Sequence, residues 1–500
     1  MAGGFFRFLD SSSDWVGRDW PLFTDEEGDE PIVRNREPEG DEFALGYAKA
    51  QDETTTRPVY ELFTVPQEHR RTHCYVVGGS GTGKTRFLET LAWQDVLNGD
   101  GFGVVDAGSD LTEDLKGYLY LLKKDEADFL SERVVLIDPA DPDHTVCFNP
   151  LERTDGMDTD EVVGELMEVF EKIWADSWGN RMAALLRNSL TALVENDLTL
   201  AELSPFITNP DFRSRILENV QSESCREYFF GDFNTQTPKT QREWAESTLN
   251  KIGALLAHRK IRQMFVARKS TFSFREVMDG KKILLVKLDR GRLKGSADLL
   301  GSLLLAKIQM AAFARTDTLE DERVLFYLYV DEFQHFATDS FIETLSESRK
   351  YRLPLVLAHQ QLAQLPPALR ASLLANCKLQ AYFNITRADA DILAKEALVP
   401  IYQNPPGWEG YIQLLQRLLP RECVVKNKNN DTVARIVTRG LEKPHEIAGT
   451  SAAAFASAVA DAQIGSAYLR PRAEVEAEYR ARRESFSEAA ETPYKQRKRS

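Results

Sequence analysis

The chain has 500 residues and a mass of 56.6 kDa, enough for two or three domains. Its composition is 43% hydrophobic, 10% aromatic and 28% charged, which excludes a wholly disordered or fibrous protein. A net charge of −15, from 62 basic and 77 acidic residues, speaks against simple coating of nucleic acid.

That charge is uneven. Residues 1–60 carry fourteen acidic and six basic side chains, whereas residues 469–500 carry nine basic and six acidic ones. A local basic path to DNA is therefore compatible with the bulk charge. The longest apolar stretch, Leu299 to Ala314, is about 16 residues long and contains Lys307, short of the ~20 needed to cross a bilayer. The N-terminus meets Asp10 before an apolar run develops, so no signal peptide is predicted. Cys74, Cys147, Cys225, Cys377 and Cys423 show no CxxC spacing, which argues against a disulfide framework and a structural zinc site. The expectation is a soluble, reduced, cytoplasmic protein with no direct membrane span.

In chain order, residues 1–42 are polar, acidic and nearly aperiodic, and read as an N-terminal arm. Short strand-like pieces follow at Phe43–Gly46 and Pro58–Thr64. From Arg71 apolar strands alternate with helices: Tyr75–Val77, a glycine-rich turn, a helix over Thr85–Leu97, a strand Gly101–Asp106, a helix Leu111–Leu122 and a strand Val134–Asp138. This rhythm predicts a parallel sheet flanked by helices. From about 156 to 269 the pattern is helical throughout, with Asp160–Trp174, Arg181–Glu195 and Arg242–His258 as examples. Strands return at Ile283–Leu288, Val324–Val330, Leu353–Ala358 and Lys378–Ile385, with a long helix Ser296–Ala314 between the first two. Thr386 with Asp389 resembles a capping box. Val424–Lys426 and Thr432–Thr438 read as a hairpin, followed by an Ala-rich helix (451–463) and a charged helix (471–486). The predicted fold is α/β, with the core over 43–155 and 270–440, an all-helical insertion over 156–269, and C-terminal helices with a basic tail over 441–500.

Gly78-Gly79-Ser80-Gly81-Thr82-Gly83-Lys84-Thr85 fits G-x-x-x-x-G-K-[ST] between a strand and a helix. The glycines let backbone N–H groups point inward at phosphate oxygens, and the following helix adds its positive end. Lys84 is placed to reach the outer phosphates and the Thr85 hydroxyl to ligate Mg²⁺. A glycine-rich turn without a ligand is the alternative. The apolar run Val324–Val330 ends in Asp331-Glu332, carboxylates suited to a metal and a water. Asp331 would hold the metal and Glu332 would polarise the attacking water; a solvated acidic turn is the alternative. Gln360, after the strand Leu353–Ala358, is placed to touch the γ-phosphate or that water, or else to cap the strand. Lys287, Arg290, Arg292 and Lys294, among Gly291 and Gly295, form a flexible basic loop that touches phosphate backbone or is merely solvated. The tail Lys495–Arg499 has the same two readings.

Several pieces together resemble a known family. They are Thr72-His73 leading into the phosphate loop, Asp106, Asp138-Pro139, Phe148-Asn149-Pro150-Leu151, Asp331-Glu332-Phe333-Gln334, Ser348-Arg349-Lys350-Tyr351, His359-Gln360 and Leu374-Ala375-Asn376-Cys377. Over about 65–440 the chain resembles the HerA/FtsK superfamily of RecA-like ring motors, and most of all the coupling ATPases of conjugation and type IV secretion, the TraG/TraD kind. The resemblance implies a homo-hexamer that hydrolyses ATP with Mg²⁺ between subunits and moves DNA through a central channel. It also implies an arginine reaching the neighbour's γ-phosphate; by position this is Arg349, with Lys350 or Arg352 as alternatives. Many coupling proteins carry N-terminal membrane helices, and this sequence shows none. A second reading is an ATP-gated platform that recruits a protein partner, such as a nuclease, a relaxase or a secretion component, with little translocation.

Overall fold

The computed structural model describes residues 32–50, 54–55, 57–122, 127–153, 157–336, 341–398 and 407–497. The arm expected over 1–42 lies outside them up to residue 31, as do the side chains of the basic tail.

The strands are, in chain order, β1 (Ile32–Arg34), β2 (Glu42–Ala50), β3 (Val59–Pro66), β4 (Cys74–Val77), β5 (Gly101–Asp106), β6 (Val134–Ile137), β7 (His144–Val146), β8 (Ile283–Lys287), β9 (Phe326–Asp331), β10 (Leu355–His359), β11 (Leu379–Tyr382), β12 (Glu422–Asn427), β13 (Thr432–Thr438) and β14 (Leu469–Pro471). The chain divides into two compact units. The first comprises residues up to Val134, Val277–Val286 and Ala312–Ile464; the second comprises Val135–Glu276, Lys287–Ala311 and the residues from Gly465. These limits differ from the sequence segments at both ends of the helical stretch, and they divide 441–500 at Ile464.

The first unit is built on one sheet, in the order β1-β3-β2-β13-β12-β11-β4-β10-β9-β5-β8. Its centre is parallel: β11, β4, β10, β9 and β5 run side by side in one direction. These strands are near-continuous apolar runs, and β4, β5, β9, β10 and β11 are buried along their whole length. Strands covered on both faces have no polar alternation to show. The hairpin of β12 and β13 extends the sheet antiparallel, and β2 and β3 continue it. Here the structure departs from the sequence reading: Ile32–Arg34, expected within an aperiodic arm, pairs in parallel with β3.

A buried ion pair ties the short helix Gln67–Arg70 to the helix Lys84–Asn98, and a hydroxyl of β9 joins it. Arg70 and Asp95 are 1% and 0% exposed; their two bonds are 2.7 and 3.0 Å, and Arg70 also donates to the Tyr329 hydroxyl at 2.6 Å. The guanidinium lies 3.5 Å from the Phe43 ring centre and 4.1 Å from that of Tyr327, so aromatic faces complete its surroundings.

In the second unit, no strand occurs among the described residues between β7 and β8, which hold a succession of helices. The longest include Thr159–Ile173, Asn180–Glu195 and Pro238–Leu256. Thr159–Ile173 starts on a complete capping box, with Asp158 and Glu161 bonding each other's backbone N–H. The box expected at Thr386 is only half formed. Thr386 accepts from Asp389 N–H, but the Asp389 carboxylate accepts from Leu362 N–H at 3.3 Å instead. The unit also contains the pair β7–β14.

One helical stretch among the described residues, Gly295–Asp317, is long and apolar enough to cross a membrane by length and composition, with a mean hydropathy of 1.4. The sequence reading stopped short of this because it counted only Leu299–Ala314. Half of that stretch is buried in the protein, with Leu300, Leu303, Leu304 and Ile308 at 1% exposure or less. That burial is the behaviour of a core helix.

Candidate functional site

The loop after β4 stands at the carboxyl ends of the parallel strands, where ligands of open α/β sheets bind. Its shape follows from its glycines. Gly81 and Gly83 hold φ of 74° and 107°, which side-chain-bearing residues rarely adopt. At Gly78 a Cβ would come within 2.5 Å of Phe383 Cβ and 2.9 Å of Thr82 Oγ1, so only glycine fits. The loop is pinned to its neighbours. Gly78 N–H donates to the His359 carbonyl at 3.3 Å, and Gly79 N–H to the Asn384 carbonyl at 2.8 Å. The Thr82 carbonyl accepts from Arg421 N–H at 2.8 Å. Ser80 and Gly81 form the turn at its tip.

Lys84 opens the helix Lys84–Asn98, and its ammonium donates to the Gly78 and Gly79 carbonyls at 2.7 and 3.0 Å. Burial pushes its pKa down, while Glu332 and Asp331 pull it back up. Thr85 Oγ1 donates to Asp331 Oδ2 at 3.1 Å. Asp331 ends β9 directly opposite Asp106 at the end of β5. Burial, with Asp106 and Glu332 nearby, pushes the Asp331 carboxyl up to about 7, against the pull of Lys84 and Thr85. Burial raises Asp106 too, although its carboxylate accepts three backbone N–H groups, from Gly108, Ser109 and Thr112. Crowded carboxylates of this kind are relieved by a cation.

Glu332 sits in the left-handed region, with φ 52° and ψ 44°, and strain of order 1–3 kcal/mol clusters at functional positions. Both its oxygens are engaged: Oε1 accepts from Gln360 Nε2 at 2.7 Å, and Oε2 from Gln334 Nε2 at 2.7 Å. Gln360 therefore meets Glu332 directly. Just before it, buried His359 shares a 2.6 Å bond between Nε2 and the Tyr75 hydroxyl, and burial lowers its pKa to about 3. A neutral, packed imidazole fits a structural role.

The structure thus brings Gly78–Thr85, Asp331, Glu332 and Gln360 into one site within the first unit. It leaves Arg349 out. Arg349 precedes β10, at the opposite end from Gln360, and the four steps of that strand at ~3.3 Å each span about 13 Å. Lys350 pairs with Glu347 at 3.0 Å, and Arg352 donates to the Glu320 carbonyl at 3.2 Å.

The basic loop is not the flexible segment expected. Arg290–Leu293 is a helical turn bracketed by Asp289 and Lys294, both at positive φ. Lys287 pairs with Asp138 at 3.1 Å, Arg290 grips Asp298 at 2.6 and 3.0 Å, and Arg292 pairs with Asp289 at 3.2 Å. Carboxylates next to three of the four cations hold them and lower the local charge.

Two residues were missed. Gln334 had been read only as part of a motif, and its hold on Glu332 needs the fold to be seen. Arg421 packs its backbone against Gly83, and Arg86, just after the loop, pairs with Glu89 at 2.8 Å. Nothing in the local sequence announces Arg421.

Among the described residues no group of three or more His, Cys, Asp or Glu side chains is arranged to hold a metal by itself. The Thr85–Asp331 pair beside a phosphate loop suits Mg²⁺, which binds through one or two protein oxygens and fills its shell with phosphate and water.

A model of the type IV secretion-system coupling protein DNA-binding domain matches residues 60–392. Among solved structures, the chain is similar to the bacterial conjugative coupling protein TrwBdeltaN70, with 15% identity, a TM-score of 0.54, and coverage of 76% of this chain and 88% of that one. It is also similar to the plasmid coupling protein TrwB in complex with ADP and Mg²⁺, with 16% identity, a TM-score of 0.53, and coverage of 76% and 87%. At these identities the likeness shows the fold, an α/β P-loop NTPase core. A search of curated proteins finds no match. With the family model spanning more than half of its length, the chain belongs to the type IV secretion-system coupling protein family.

Proposed function

We propose that the protein is an Mg²⁺-dependent ATPase that works as a homo-hexameric DNA translocase. The observation that carries this reading is the meeting of the phosphate loop with Asp331, Glu332 and Gln360 at the ends of neighbouring parallel strands. The loop N–H groups and Lys84 bind the β- and γ-phosphates of ATP. Thr85 and Asp331 would hold Mg²⁺, which neutralises charge on the phosphate oxygens when bound. Glu332 takes the proton of the attacking water as that water's oxygen bonds the γ-phosphorus and the bond to the β-bridging oxygen breaks. Gln360 orients the water and Glu332 together. Arg349 lies a strand's length from this chain's own loop and serves a neighbouring subunit's γ-phosphate. The relatives named above, conjugative coupling proteins, support DNA as the substrate moved. Lys294, for which no ion pair is seen among the described residues, leaves the turn after β8 one cation for a further DNA contact. Five unpaired, buried cysteines support a reducing, cytoplasmic setting.

The test is ATP turnover with and without single-stranded and duplex DNA, across salt. DNA should stimulate turnover, with an apparent affinity that falls steeply as salt rises. Turnover indifferent to DNA but raised by a protein partner would refute the motor and favour the recruiting platform.

A further inference from the structure

The Thr72-His73 pair leads into the phosphate loop, yet the site described above gives it no role. His73 stands immediately before β4, is 2% exposed and holds φ 63°. Left-handed backbone is uncommon outside glycine and persists only where the surroundings fix it. His73 Nδ1 accepts from Leu355 N–H at 2.9 Å, one residue before the register in which β10 pairs with β4. Burial keeps the ring neutral, so with Nδ1 accepting, the proton sits on Nε2. Nε2 is buried and completes no hydrogen bond of normal geometry; the Leu345 backbone and the Arg349 charge both act on the ring. Leu345 belongs to the helix Phe341–Glu347, and Leu355 opens β10. The imidazole therefore stands against the chain on both sides of the turn Ser348–Tyr351, on which Arg349 is exposed. The turn is held from its other side too. Arg323 Nη1 donates to the Lys350 carbonyl at 2.5 Å, and buried Arg315 to the Tyr351 carbonyl at 3.1 Å. Leu353 N–H closes the turn onto the Ser348 carbonyl at 3.1 Å.

We propose that His73 and Arg323 are positioning residues for Arg349, fixing the turn from which it reaches a neighbouring subunit's γ-phosphate. The proposal rests on the shared-site reading of Arg349 given above. An arginine delivered to another chain is not placed by the ATP site of its own subunit, so its aim is set by the backbone that carries it. The imidazole suits this task because its acceptor and its N–H lie on opposite edges of one rigid ring, one toward β10 and one toward the helix before the turn. An amide side chain carries both groups at one end and serves one side or the other. Arg323 grips a backbone carbonyl, not a carboxylate, so it fixes the turn without adding a negative charge that would draw Arg349 back.

The test is a double-mutant cycle on turnover of γ-labelled ATP, at saturating Mg-ATP and at protein concentrations where wild-type specific activity has levelled. His73→Asn keeps an acceptor for Leu355 N–H and tolerates positive φ, but no longer reaches toward Leu345. Arg323→Ala frees the Lys350 carbonyl. Each should lower kcat about 10–100-fold, the scale of a 1 Å misplacement and within the roughly 10³–10⁵ that a shared arginine supplies. Affinity for a fluorescent ADP analogue should stay at the wild-type value. In an Arg349→Ala background neither change should lower kcat further, while its cost in thermal midpoint should be the same as in wild type. A merely structural role would lower the midpoint and leave the kcat losses multiplying in full. Hydrogen exchange should quicken over residues 341–355 in each variant and stay unchanged over 78–85. Wild-type kcat in a folded variant would strike that residue from the role. Losses that multiply in full with Arg349→Ala, or unchanged exchange over 341–355, would overturn the proposal and leave the shared site standing. Wild-type kcat in Arg349→Ala itself would sink the shared-site reading and this one with it. Should His73→Asn fail to fold, Arg323→Ala decides by the same cycle.

Discussion

Glu332→Gln tests the chemistry most directly. The change removes a charge and turns one acceptor oxygen into an NH₂ donor. Wild-type Glu332 accepts two amide hydrogens, from Gln360 and Gln334, each at 2.7 Å. Whichever way the new amide turns, one of those donors meets another donor. A hydrogen bond to a charged group is worth roughly 1.5–3 kcal/mol, so the local cost is about 2 kcal/mol, which a folded domain tolerates. The larger effect is kinetic. Without a carboxylate to take the water's proton, turnover should drop by about 10²–10⁴-fold, or about 3–5.5 kcal/mol of barrier. Nucleotide binding should persist, because it rests on the loop N–H groups and Lys84. Losing a negative charge that Lys84 feels should if anything favour an incoming triphosphate. Phosphate release at saturating Mg-ATP measures the first effect, and titration with a fluorescent ADP analogue the second. Wild-type turnover in the variant would refute the assignment of Glu332. Loss of binding together with turnover would show that the residue serves binding or folding rather than the water.

Four further outcomes are expected. Gln334→Ala frees one oxygen of Glu332 and should lower kcat while leaving nucleotide affinity unchanged; an unchanged kcat would remove Gln334 from the positioning of Glu332. Arg70→Ala leaves the Asp95 carboxylate buried without its partner and should cost about 3–5 kcal/mol in urea unfolding; a cost below about 1 kcal/mol would mean that the pair is not buried in solution. His73, whose Nδ1 accepts from Leu355 N–H at 2.9 Å, is lowered to about 4 by burial, so the stability it confers is complete above its unfolded pKa of ~6.5 and is lost as pH falls toward 4. Asp331 and Glu89, raised to about 7 and about 8, act in the opposite sense, so the readout is a difference. The advantage of wild type over His73→Asn should shrink by up to about 1.4 kcal/mol per pH unit between pH 6.5 and 4.5, and a pH-independent difference would contradict it. Arg349→Ala should bind nucleotide normally yet turn over slowly, and mixing it with Lys84→Ala should restore part of the activity; specific activity that stays flat from dilute to concentrated wild type would refute a site shared between subunits.

The sequence by itself determined the parts whose signal is local. Glycine spacing between an apolar strand and a helix marks Gly78–Thr85, because only that chain geometry needs φ of 74° and 107° so close together. Apolar runs ending in carboxylates mark β5 and β9, because strands buried on both faces leave polar residues only at their ends. The same logic places Asp331, Glu332 and Gln360 at strand ends. Tertiary structure decided what meets what. The neighbours of β4 are β10 and β11, from far downstream, and that order brings Gln360 to Glu332 and Arg421 to Gly83. It also separates Arg349 from Gln360 by the length of β10, although few residues lie between them in sequence. Charge patterns were least legible: Lys287, Arg290 and Arg292 read as a free basic loop, yet each lies against a carboxylate, two of them well away in sequence or across a turn. Periodicity along a chain reports which face is buried; the partner of a polar side chain is set by which strands and helices lie alongside it, and no local pattern carries that information.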